Sequence, residues 1–285
     1  MNYPKRNKII QFLYIFTFIF SLLVINCNNN DNRNDSLKPN IVSILEKKTS
    51  SHKSIQTSKD RKKLPLKTQP NSIRKSFLIG KIDYASDTSF VLLDKKYHNK
   101  SLMYLEKETA KAFIRMYQAA KNDGINLLVV SGARNYYSQK SIWERKFNRN
   151  LQAGLSPIEN AIKILKYSSM PSTSRHHWGT EVDINNLEPS YFESGNGKLE
   201  YDWLNKNASK FGFCQVYSKF DEKDRTTGYQ KEAWHWSYIP KSGHFLDKYN
   251  ELVDYEDING FLGSLLAKEL NMIEEYVNGI SSACY

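Results

Sequence analysis

Apolar and polar positions divide the chain into three stretches. Ile9 to Ile25 is almost wholly apolar. Residues 28–76 are polar and charged, and a helical turn or two over 41–48 finds no continuation. From Phe77 onward apolar positions recur at helix and strand spacings. Short apolar runs predict strands over 77–84 and 89–93. Leu105, Ala112, Phe113, Met116, Tyr117 and Ala120 predict a helix over 106–121, with Thr109 in the one polar slot of that face. Asp123-Gly124 stops it, and Ile125 to Val130 reads as a buried strand. Ser131-Gly132-Ala133-Arg134 turns out of that strand. Helices are predicted over 137–148 and 158–167, the second with Pro157 near its first turn. Glu181–Ile184 and Trp234–Ile239 read as strands, Tyr201–Phe211 as a helix ended by Gly212, and 261–278 as a C-terminal helix. There is no βαβ rhythm and no internal repeat, which predicts an α+β class.

Charge follows the same division. The chain carries a net +11, but residues 79–285 hold 26 Lys and Arg against 26 Asp and Glu. The excess lies in residues 1–78, with 12 basic against 4 acidic residues over 28–78. The folded part is therefore neutral and shows no basic face interleaved with aromatics, which sets nucleic-acid binding aside. Residues 28–76 are too polar to bury a core and read as a disordered basic tether.

Residues 1–27 read as an export signal: Lys5, Arg6 and Lys8, the apolar run, then Val24-Ile25-Asn26-Cys27. This resembles a lipobox with Cys27 as the lipidated residue, although Asn26 stands where Gly or Ala is usual. The competing reading is an uncleaved anchor, since about 17 apolar residues is the short end of spanning length. Either way the rest of the chain is expected outside the cytoplasm, in the cell envelope, lipid-anchored on the outer side of a bacterial membrane or facing the periplasm. Cys214 and Cys284 remain, and an oxidising compartment permits their pairing. No Cys-x-x-Cys pair offers a thiolate metal site.

The candidate chemistry lies in two segments, Ser174 to Asp183 and Glu232-Ala233-Trp234-His235. His176, Asp183 and His235 supply two imidazoles and a carboxylate, the composition of a catalytic zinc site that keeps one position open for water. Gly179 and the β-branched Val182 and Ile184 argue for a loop entering a strand. Glu232, three residues before His235, is placed to act as a general base.

Ser174-x-His176-x-x-Gly179-x-x-x-Asp183 and Glu232-x-Trp234-His235 resemble the two signatures of the VanY-type zinc D-alanyl-D-alanine carboxypeptidases. Ser131-Gly132-x-Arg134-x-Tyr136-x-x-Gln139 is similar to the family's upstream motif. The resemblance implies a VanY/hedgehog-like α+β zinc peptidase fold over 77–285: one compact domain, a small antiparallel sheet and flanking helices. It implies Zn2+ on His176, Asp183 and His235, Glu232 as base, and Arg134 stabilising the carbonyl oxygen as it gains charge. Ser174 and Gln139 would hold the substrate, and Trp234 is taken as a groove residue. The implied reaction is removal of terminal D-alanine from peptidoglycan stem peptides. L,D-carboxypeptidase or endopeptidase cleavage at the same site, or a non-catalytic wall-binding zinc module, are the alternatives.

The chain departs from the family pattern at two places. Ala133 stands where tyrosine is frequent, and Glu181 where a small residue is common. In a regular strand Glu181 shares a face with Asp183 and lies behind the metal ligands; in an irregular one it points to solvent. His177 reads as a neighbour of the site. Trp178, Trp234 and Trp236 divide between groove and core.

Overall fold

A computed structural model describes residues 73–285. The expected signal, Cys27 and residues 28–72 of the tether lie outside the described residues. The expected domain start at 77 falls within a short helix, α1 (Lys75–Leu78).

The fold is α+β. Its centre is a four-stranded antiparallel sheet of β3 (Val129–Ser131), β4 (Glu181–Ile184), β5 (Phe213–Cys214) and β6 (His235–Tyr238), in the order β3-β4-β6-β5. A separate hairpin pairs β1 (Phe90–Leu92) with β2 (Tyr104–Glu106). Side chains alternate across a strand, so each strand of the main sheet divides its chemistry between two faces. Val182, Ile184, Trp236 and Tyr238 join the core under α2 (Lys107–Asn122) and α5 (Gly195–Asn207). Their strand neighbours, Glu181, Asp183, His235 and Ser237, are left to the other face.

Helix α2 begins where the sequence predicts, because the Glu106 carboxylate accepts from the Glu108 and Thr109 amides, both at 2.9 Å. A second core joins α1, α3 (Tyr136–Gln152), α4 (Pro157–Ile164), α6 (Ile239–Leu252) and the C-terminal segment through Phe77, Trp143, Phe147, Phe245 and Tyr249. No element was predicted over most of α6, although Pro240 opens its first turn and Phe245, Leu246 and Tyr249 are buried.

Three predicted elements are corrected. Residues 77–84 do not form a strand. Phe77, Leu78 and Ile79 are buried in succession on one helical turn, which Gly80 (φ +73°) closes as Lys81 N–H donates to the Ser76 carbonyl at 2.8 Å. A side chain at Gly80 would strike the His177 ring. The strand expected over 125–130 shortens to β3. The Asn185 side chain takes the Leu128 amide at 2.6 Å and the Asn126 carbonyl at 2.8 Å, replacing ladder bonds. The C-terminal helix is broken into α7 (Leu266–Glu269) and a π-helical turn (Met272–Val277), because Asn271 adopts the left-handed conformation at φ +46°.

Cys214 and Cys284 form a disulfide with Cα atoms 5.6 Å apart. Beside it Asp224 Oδ1 accepts from the Ser282 amide at 2.7 Å and the Ser281 hydroxyl at 2.9 Å. The C-terminus is thus sewn to the 215–234 loop, which carries Glu232. Closing a sequence separation of 70 residues is worth about 4 kcal/mol in the chain-entropy picture. Reduction, or the double replacement of Cys214 and Cys284 by serine, is expected to lower stability by about that much. Urea midpoints measured with and without reductant check this; equal midpoints would contradict it.

Candidate active site

Sheet register brings the site together. Asp183 on β4 lies directly opposite His235 on β6, and Glu181 opposite Ser237. Cross-strand partners share a face, so all four side chains project the same way. His176 arrives from a 3-10 turn (Arg175–Trp178) whose end at Gly179 has φ +69°. Only glycine fits there: a Cβ would strike the Phe90 ring and lie 2.9 Å from the Glu106 nitrogen.

Donor atoms of His176, Asp183 and His235 all lie within 4.8 Å of one another. Their outer hydrogen bonds assign the tautomers. His176 Nδ1 donates to the Gly132 carbonyl at 2.8 Å, which leaves Nε2 bare, 3.3 Å from Asp183 Oδ2. His235 Nε2 donates to Glu181 Oε2 at 2.8 Å, so Nδ1 turns inward, 3.1 Å from Asp183 Oδ1. Two lone-pair nitrogens thus face a carboxylate, and Asp183 Oδ1 is buried without a hydrogen-bond partner. A cation resolves this arrangement. A tetrahedral zinc with ligands at roughly 2.0–2.2 Å sets them about 3.3–3.6 Å apart, close to the two nitrogen–oxygen separations of 3.3 Å and 3.1 Å. The residues present fit a zinc ion. Without a cation a proton must fill the same role: burial opposes charge on His235, but Asp183 and Glu181 outweigh it and push its pKa up to about 10.

Glu181 settles one open reading. It is fully buried behind His235, not turned to solvent. Ser237 Oγ donates to it at 2.8 Å, and Arg175 Nε lies 3.4 Å away. Burial opposes its charge, yet Arg175 and His235 hold its pKa down to about 2. Carboxylates of this kind fix the orientation and basicity of a metal-binding imidazole. Glu181→Gln is expected to weaken metal affinity about 10–100-fold. Competition with a chromophoric chelator measures this, and an unchanged dissociation constant would deny Glu181 the role.

Glu232 lies in the same cleft, its Oε2 3.5 Å from His235 Nδ1. The Tyr217 carbonyl accepts from its amide at 3.0 Å, and Gln215 donates to its carbonyl at 2.9 Å. Burial pushes its pKa up to about 8, helped by Asp183 and opposed by His235 and Arg134. Arg134 and Ser174 also line this cleft of about 630 Å³. Arg134 Nε and Ser174 Oγ are buried without partners, leaving donors free for a ligand. Trp234 lines the cleft too, against Phe192 and Tyr167. Trp178 and Trp236 are core residues whose indole N–H groups reach the Leu78 and Ala233 carbonyls.

Gln139 is placed differently from the substrate contact implied by its motif. It is fully buried, does not line the cleft, and donates to the Ser169 carbonyl at 2.6 Å. Its reach to the cleft runs through the backbone of Ser169, which does line it. His177 is no ligand: its Nδ1 donates to the Arg134 carbonyl at 2.6 Å, and burial keeps the ring neutral, with a pKa of about 3. Sequence reasoning missed Tyr217 and Tyr229, both buried in the cleft wall, with the Tyr217 ring 4.6 Å from that of His235. It also gave Arg175 no role. Tyrosines are numerous here, and no spacing marks these two.

The structure thus defines an α+β domain whose sheet carries a two-histidine, one-carboxylate site beside a buried glutamate. Residues 102–241, just under half of the chain, match the family model described as VanY, D-alanyl-D-alanine carboxypeptidase, so this stretch is a VanY-type domain. It is similar to YodJ of Bacillus subtilis (strain 168), 30% identical over 155 residues, which are 52% of this chain and 51% of that one. It is also similar to a D-alanyl-D-alanine carboxypeptidase of Enterococcus faecalis, 31% identical over 124 residues, 44% of each chain. The chain spans about half the length of the curated relatives it matches. Among solved structures it is similar to VanYB in complex with D-alanine-D-alanine, at a TM-score of 0.42 and 24% identity, covering 54% of this chain and 81% of that one.

Proposed function

We propose that this chain is a zinc carboxypeptidase that removes terminal D-alanine from peptidoglycan stem peptides. The observation that carries the reading is the convergence of three metal-type donors with Glu232 and Arg134 in one cleft. Zinc held by His176, Asp183 and His235 would supply Lewis acidity toward a carbonyl and toward water. The rest falls to this chain's own groups. Glu232 takes a proton from the attacking water and returns it to the leaving amine, so one water is consumed and a carboxylic acid and a free amine result. Arg134 donates to the carbonyl oxygen as it gains charge. Ser174 Oγ, free of protein partners, donates to the substrate carboxylate. Trp234 lays an apolar wall beside the peptide.

The test is incubation of the purified full chain with defined tri-, tetra- and pentapeptide stems, with products read by mass. Loss of one D-alanine from the pentapeptide is expected, abolished by thorough metal stripping and restored by Zn2+. Full activity without metal would sink the reading; cleavage only of the tetrapeptide would move it to the L,D-class, and cleavage only of a cross-linked stem dimer, included as a fourth substrate, to the endopeptidase class.

The site is proposed to work outside the cytoplasm, tethered through a lipid on Cys27. The apolar run ending almost at Cys27, the polar stretch after it and the Cys214–Cys284 disulfide support this. Mass spectrometry of the mature N-terminus decides it: an intact Met1 with no lipid on Cys27 would mean an uncleaved anchor.

A further inference from the structure

Helix α3 presents Ile142, Arg145 and Lys146, spaced three and four apart, to the catalytic cleft, while Trp143 and Phe147 enter the core. Lys146 is half-buried on that wall. Among the described residues no carboxylate lies within ion-pair distance of it, although Lys140 on the same helix pairs with Glu144. Burial lowers its pKa, and so do Arg134, Arg145 and Arg149; Glu232 acts in the opposite direction. Glu232 is committed to proton transfer. A partly desolvated ammonium among like charges is costly, and folding gives it no partner. A ligand anion would offset that cost. Ser174 and Arg134 already serve the terminal carboxylate and the carbonyl oxygen, and Lys146 stands outside that set.

Resting on the carboxypeptidase reading, we propose that Lys146 forms a second anion subsite in the cleft. It takes a free carboxylate on the side chain of the residue preceding the terminal D-alanyl-D-alanine. The favoured substrate is thus an acidic peptide with a second carboxylate upstream of the scissile bond. Arg145, exposed on the same helix face, adds to the positive potential of the rim.

The test uses two synthetic peptides ending in D-alanyl-D-alanine, identical except that this preceding side chain ends in a carboxylate or in a carboxamide. The zinc-loaded full chain in detergent is expected to prefer the carboxylate by about 10–100-fold in kcat/KM, the range of a charge-assisted hydrogen bond. Lys146→Gln should bring the ratio near one, Lys146→Glu should invert it, and Lys146→Arg should largely keep it. A wild-type ratio near one, or a ratio unchanged in Lys146→Gln, would overturn the subsite. If neither peptide is cut, the carboxypeptidase reading fails separately. Calorimetric binding of the same pair then tests the subsite, where a preference of the same size is expected and equal dissociation constants would overturn it.

Discussion

Glu232→Gln is expected to lower kcat on D-alanyl-D-alanine peptides by about 10²–10⁴ while leaving the metal bound. Glutamine keeps the shape of the side chain but cannot accept a proton. The three donors of His176, Asp183 and His235 are complete without it, so a zinc determination on the variant should match wild type. Near wild-type turnover would deny Glu232 its role. The pH profile carries the same argument. Glu232 works as a base only when ionised, and burial raises its pKa from 4.5 to about 8 in the metal-free site. A bound cation brings it down from there. The acid limb of kcat/KM is therefore expected between these two values, falling tenfold per unit below the midpoint. Stability runs the other way. A folded-state pKa raised above the unfolded one stabilises the fold fully below pH 4.5, and this contribution is lost as pH rises through about 8. Metal-free Glu232→Gln should thus melt above metal-free wild type at pH 9, and scanning calorimetry checks it.

Arg134→Met is expected to cost about 10²–10³ in kcat, the usual loss of one oxyanion donor. Lysine should not restore it, because a point charge does not reproduce the fork of a guanidinium. The side chain is poised for this role. Its backbone is held from two sides, the amide donating to the His176 carbonyl at 3.0 Å and the carbonyl accepting from His177. Its Nε has no protein partner. Burial lowers its pKa, while Asp183 and Glu232 hold its charge. A variant that raised KM alone, with kcat intact, would show Arg134 to be a substrate anchor and not a stabiliser of developing charge.

Much of the site was legible in the chain. Asp183 and His235 sit in segments where polar and apolar residues alternate, so their strands and shared faces could be read locally. His176 was legible from its place before Gly179, where a turn is required. Helix α2 was legible for the same reason, since its apolar face recurs at 3.6 residues. Elements that failed were those set by distant partners. Residues 125–128 have the composition of a strand, yet the Asn185 side chain takes the Leu128 amide and the Asn126 carbonyl in place of ladder bonds. Phe77, Leu78 and Ile79 were read as part of a strand, because a short apolar run does not by itself tell strand from buried helix; in the fold they form a helical turn whose Phe77 packs on Phe90 and Phe245. Gln139, read from its motif as a substrate contact, lies behind Ser169, because a helix pattern shows which residues share a face but not what covers them.

By itself the sequence determined the candidate metal donors, the candidate base Glu232, the charge neutrality of the folded part and the strands that carry Asp183 and His235. These are properties of residue identity and short-range spacing. Tertiary structure alone decided which nitrogen of each histidine turns inward, that Glu181 and Arg175 stand behind His235, that Cys214 meets Cys284, and that Lys146 faces the cleft unpaired. Each of these depends on contacts between segments far apart in the chain: 54 residues separate Glu181 from His235, and 44 separate Gly132 from His176. Local propensity carries no information across such separations. Only the packed core, which selects one register of β4 on β6, brings those groups within hydrogen-bonding distance.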